Sequence, residues 1–164
     1  MRFNYYLSLP IMALLMVAQS AILPRFPIFV IVPQLELLAA LAWGLLRGPN
    51  EGVVWAFVGG LLVDLFSSGP MGATPLALMA AVLAVSFVQA NLPPNRFLWP
   101  IFLGGLGTLV YLFSYYGLAR LLGKSPAGLA NLSSTILLHA LFMIPIYWPL
   151  AALSNILNPR RVEM

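Results

Sequence analysis

Six apolar runs, each close to bilayer thickness and each ended by a short cluster of prolines, glycines and polar residues, constrain this chain more than any single motif. A spanning helix needs about 20 mostly apolar residues, and fewer where it is buried among its neighbours. By that measure the runs are about Tyr5–Leu23, Ile28–Leu46, Gly52–Phe66, Pro75–Leu92, Phe97–Leu122 and Leu132–Leu157. The breaks LPRFP, RGPN, SSGPMG, NLPPNR and GKSPAG carry turn chemistry. The expected fold is an all-α polytopic membrane protein of about six transmembrane helices. Residues 1–164 form a single transmembrane domain, because no connection leaves room for a soluble one. Composition agrees: 62% of residues are hydrophobic and 7% charged, against roughly 45–50% and about a quarter in soluble domains. A soluble core of this length could not hide so much apolar surface.

Eight basic and four acidic residues give a net charge of +4, but apart from the adjacent Arg160 and Arg161 the basic ones are scattered singly between apolar runs. They form no stripe, which argues against a nucleic-acid partner. Without cysteine there is no disulfide, no thiolate chemistry and no Cys-ligated metal. The sequence also lacks a nucleophile elbow, a Walker loop, HExxH and CxxC. Gly104-Gly105-Leu106-Gly107 lies inside an apolar run, where small residues serve helix contact and a phosphate cradle would expose backbone to lipid. The chain is therefore read as no enzyme and as needing no cofactor.

Orientation follows the Lys/Arg count in short loops. An inside N-terminus puts Arg2, Arg47, Arg96, Arg160 and Arg161 in the cytoplasm and leaves Arg25, Arg120 and Lys124 outside, so both termini are read as cytoplasmic. Arg2 and Ala18-Gln19-Ser20 imitate a secretory signal and its cleavage site, but the first run is read as a retained helix. Kinks are expected in the first and sixth helices, at Pro10, Pro145 and Pro149. Pro33 offers an alternative start for the second helix, with FPIFVIV as a non-helical approach along the outer surface and a span of about 14 residues, or about 21 Å.

Gly52, Ala56, Gly60 and Asp64 recur every four residues and form a stripe of small side chains ending in a carboxylate. Ala40, Gly44 and Gly48 form a second small-residue stripe on the preceding run, and the short RGPNE link makes the two a tight hairpin. Charged groups inside spans are costly and face protein or water. Glu36 and Asp64 lie 11 and 12 residues from Arg47 and Gly52, so both stand about 16 to 18 Å from the cytoplasmic turn, in the outer half. His139 falls near that depth and Arg120 at the outer end of the fifth run. Three readings are open: a structural network in which Arg120 offsets a carboxylate, a proton or ion pathway, or a metal site, the last matching no ligand-spacing rule. Most aromatics sit near run ends, as interfacial belts do, while Trp55 with Phe57 and Tyr147 with Trp148 suit packing or a partner surface.

The segment Ala56-Phe57-Val58-Gly59-Gly60-Leu61-Leu62-Val63-Asp64-Leu65-Phe66, followed by Ser67-Ser68-Gly69-Pro70-Met71-Gly72 and Leu76, resembles the central block of the MreD family of bacterial rod-shape-determining membrane proteins. The resemblance extends to length, the number of spans and a proline, Pro33, opening an apolar second helix. Ala56 departs from it, since the family often has Gly before the Phe, and nothing in the family pattern carries over to Glu36. The resemblance implies a non-catalytic subunit of the cell-elongation complex in the bacterial inner membrane, which serves peptidoglycan synthesis. It implies binding to an MreC-like bitopic protein and work beside MreB, RodA and a class B penicillin-binding transpeptidase. It also implies a fold similar to the S components of energy-coupling-factor vitamin transporters.

Two functions are consistent with these residues. One is a scaffold that meets the partner's transmembrane helix through Gly44, Gly48, Gly52, Ala56, Phe57 and Gly60. The other is a substrate-binding S component, with Glu36, Asp64, Arg120 and His139 lining a pocket open to the outside. A lipid flippase needs a water-filled polar path, for which intramembrane polar residues are too few.

Overall fold

A computed structural model of the chain describes residues 6–25, 32–93, 98–124 and 131–157. Among them are six α-helices and no strand: α1 Ser8–Val17, α2 Leu35–Arg47, α3 Pro49–Phe66, α4 Ala73–Ala90, α5 Trp99–Leu121 and α6 Leu132–Leu157. A π-helical turn over Ala18–Ile22 and a 3-10 turn over Leu23–Arg25 prolong α1. Helices α4, α5 and α6 are each long and apolar enough to cross a membrane, and α6 runs through Pro145 and Pro149 without a break. Most of the FPIFVIV approach lies outside the described residues, as do Arg2, Arg96, Arg160 and Arg161.

The second helix departs most from the boundaries read in the sequence. It starts at Leu35 rather than near Ile28, in keeping with the alternative start at Pro33, and has 13 residues, about 20 Å by helical rise. Hydropathy hides this start because the residues before Pro33 are as apolar as those after it. Proline supplies the break by disfavouring helical backbone in the residue ahead of it. So short a helix is possible because every residue from Leu35 to Leu45 is buried. Helices α1, α3, α4, α5 and α6 all pack on it. A helix that is apolar all round belongs in the centre of a bundle, and the need to match lipid thickness passes to its neighbours.

Small residues set how closely those neighbours approach. A Cβ on Gly52 would lie 2.5 Å from the Gly44 Cα, so α2 and α3 meet backbone to backbone at this pair. Gly48, between the two helices, has φ +94° and ψ 169°, a conformation open in practice to glycine, and Pro49 then opens α3 with its φ already set. The closed end is completed by Trp43 and Trp55, stacked 4.2 Å apart at 11°. Glu51 Oε2 accepts from Trp43 Nε1 at 3.0 Å and pairs with Arg47 at 3.5 Å. A Cβ on Gly60 would collide with the backbone of Pro75, so the same stripe further along α3 seats α4. Gly107 lets α5 lie on Leu41 of α2, and Gly104 lets it lie on Met143 of α6.

Gly52→Ala is expected to destabilise the protein by about 1–3 kcal/mol through overpacking. Gly117→Ala on α5, where a Cβ meets nothing within 4 Å, should be neutral or stabilising by about 0.5–1 kcal/mol. Thermal unfolding of the detergent-solubilised variants checks both, and equal effects would show that α2 and α3 do not touch at Gly44.

Candidate functional site

Starting a helix inside an apolar bundle leaves its first N–H groups with no water to bond. Two other helices supply acceptors for the first two of these groups in α2. Gln34, the residue before the helix, donates its backbone N–H to His139 Nε2 on α6 at 3.0 Å. Leu35 donates its N–H to Gln19 Oε1 at 2.6 Å, and Gln19 sits in the π-helical turn that prolongs α1. An extra residue in one turn rotates the later side chains relative to an unbroken α-helix, and such turns recur at functional positions.

The hydrogen bonds fix the form of His139, which is fully buried. Because Nε2 accepts, the ring proton is on Nδ1 and is donated to Thr108 Oγ1 at 3.0 Å, while the Thr108 hydroxyl donates to the Gly104 carbonyl at 2.8 Å. The imidazole is neutral and all its hydrogen-bonding capacity is used. A second proton would remove the acceptor that Gln34 needs.

Glu36 lies two residues beyond Gln34, in the first turn of α2. It is 1% exposed, and neither carboxylate oxygen has a hydrogen-bond partner. Gly59 on α3 leaves room for its stem, since a Cβ there would stand 3.4 Å from the Glu36 Cβ and 3.0 Å from Met12 Sδ. The side chain borders a cavity of about 40 Å³ shared with Gln19, Gln34, Thr74, Tyr111 and three aliphatic side chains.

Asp64 closes α3 and opens α4. Its Oδ2 accepts the Gly72 N–H at 2.6 Å, and Gly72, at φ +89°, is the residue from which α4 departs. The carboxylate thus caps a helix N-terminus, where a negative charge is favoured. Oδ1 has no partner, and the residue is 5% exposed.

The structure therefore brings Glu36 and His139 to one helix start, puts Asp64 at the next, and leaves Arg120 apart. Arg120 is exposed; its Nη2 donates to Tyr116 Oη at 2.6 Å and the guanidinium lies 5.1 Å from that ring. It offsets neither carboxylate by direct contact. Of the small-residue set, Gly44, Gly52, Ala56 and Gly60 face inward, Gly48 makes the turn and Phe57 is half exposed. Sequence reasoning gave no site role to Gln19, Gln34, Thr74 and Thr108, and grouped Tyr111 with the interfacial aromatics although it is buried. Their signal was a polar atom inside an apolar run, and Gln19 was masked by its likeness to a cleavage site.

His139→Leu is expected to leave the Gln34 N–H without an acceptor and to cost about 1–3 kcal/mol. Thr108→Val, which leaves the buried His139 Nδ1–H without its acceptor, should cost a similar amount, about 1–3 kcal/mol. Thermal unfolding of both variants and of the pair measures the coupling, and strictly additive losses would show that the imidazole and the hydroxyl do not act together.

No curated protein and no solved structure matches the chain. The family model described as rod shape-determining protein MreD matches residues 1–157. This match covers all six helices and the polar helix starts described above, and so the chain belongs to the MreD family of rod-shape-determining membrane proteins.

Proposed function

We propose that the protein is a non-catalytic scaffold of the cell-elongation complex, held in the bacterial inner membrane with both termini in the cytoplasm. It binds an MreC-like bitopic protein through its transmembrane helices, beside MreB, RodA and a class B penicillin-binding transpeptidase. The supporting observation is how the interior polar groups are used. Gln19, His139 and Asp64 are each committed to a backbone N–H at a helix start. Such groups hold architecture in place and leave no reactive pair.

The partner surface is carried by α3. The glycines expected to meet a partner face this chain's own helices, but Phe57, Leu61 and Leu65, spaced by four, are 50%, 36% and 56% exposed. They form one apolar ridge. Helix α3 is as long as α4, at 18 residues, but is less apolar than α4, α5 and α6, which are each apolar enough to cross a membrane. A neighbouring transmembrane helix laid along the ridge supplies van der Waals contact of the kind that joins helices in lipid. The rival reading, a vitamin-binding S component, draws little support from a cavity of about 40 Å³. That is room for about three waters, whereas ligand pockets run to about 300 Å³ and above.

Replacing Phe57 and Leu61 together by alanine should lower co-purification of an MreC-like partner at least tenfold, about 1.4 kcal/mol, and round up the cells. Phe87→Ala on α4, 75% exposed, should leave both unchanged. Wild-type recovery of the partner with the double variant would remove α3 as the contact.

A further inference from the structure

We infer that Glu36 is the anionic ligand of a small cation site bordered by α1, α2, α3, α4 and α5, and that its occupant carries a single positive charge. Such a site is independent of the scaffold role. A carboxyl group withdrawn from water either takes up a proton or keeps its charge beside a compensating partner, and Glu36 is 1% exposed with neither side-chain oxygen hydrogen-bonded to another side chain. No lysine or arginine is among the residues lining the adjoining cavity. Arg47 pairs with Glu51 at the opposite end of α2, and Arg120 lies on Tyr116. The positive end of the α2 dipole favours the charge but is equivalent to only about half an elementary unit.

The cavity lining is suited to a hard cation. Thr74, Tyr111 and Gln34, each with a side-chain oxygen, line the cavity with Glu36, and Gln19 lines it too, its Oε1 already accepting the Leu35 N–H. With one carboxylate the site balances one unit of charge, whereas divalent ions in protein sites gather more carboxylates or keep several waters. The volume of about 40 Å³ takes an ion with a water, since one water needs about 10–15 Å³ by the same measure. Sodium, potassium and a primary ammonium group share this chemistry, and the experiment separates them.

The test is thermal unfolding of the purified full chain, followed by tryptophan fluorescence at fixed pH. Sodium, potassium or ammonium chloride is titrated from about 1 to 300 mM and replaced by choline chloride to hold ionic strength. A bound cation raises the midpoint with the logarithm of its concentration. The expected result is a rise of several degrees in at least one small-cation series over the choline baseline, with Glu36→Gln flat in every series. A response confined to ammonium assigns an amine headgroup; one to sodium or potassium assigns the metal ion. Thr74→Val, which keeps the charge and removes one oxygen, should move the wild-type response to severalfold higher concentration. Identical behaviour of the wild type in all four salts overturns the proposal, as does a cation response that survives in Glu36→Gln or is unmoved in Thr74→Val.

Discussion

A backbone that begins a helix away from water must find acceptors for its first N–H groups, and the rest of this bundle is arranged around meeting that demand for α2. The two acceptors come from Gln19, 16 residues before Leu35, and from His139, 105 residues after Gln34. The pair ties the first and last described helices to the central one. In lipid the alternative is an unsatisfied amide costing several kcal/mol, so these two bonds limit where α1 and α6 can sit. The π-helical turn in α1 and the Thr108–Gly104 relay behind His139 are the supporting parts of the same device.

Glycine does three different jobs on the α2–α3–α4 path. Gly44 and Gly52 remove side chains where two backbones meet, Gly48 and Gly72 take positive φ at turns, and Gly59 clears space for the buried Glu36 stem. The repeat of small residues at intervals of four was legible from the sequence, as was its use in close helix contact. Which helix each one touches was not. Gly60 faces Pro75 of α4, and Gly52 faces both α2 and Val82 of α4, because a stripe drawn on one helix carries no information about the neighbour that fills it.

The same limit explains the other differences. The number of helices and most of their ends followed from hydropathy and turn chemistry; the sixth helix matches its expected bounds, Leu132–Leu157. Hydropathy alone misplaced the start of α2, because residues on either side of Pro33 are equally apolar; the alternative start that Pro33 offered is the one the structure takes. Depth counting placed Glu36 and His139 at one level, and the structure joins them at one helix start through Gln34. It gave no warning that Arg120 would turn to Tyr116, since depth says nothing of the direction in which a side chain points. In a rod-shape-determining membrane protein this use of polar groups is consistent with a scaffold: interior hydrogen bonds hold the helix starts together, and the α3 ridge is half exposed.

Hydrogen–deuterium exchange in lipid nanodiscs tests the keystone role of α2 most directly. With its start capped from two sides and its body enclosed, residues 35–45 should exchange more slowly than any other described segment. Replacing Gln19 and His139 together by leucine should release that protection across α2 while α4 and α5 keep theirs for longer. Fast exchange of α2 in the wild type, or protection of α2 that is unchanged when both acceptors are gone, would contradict the account.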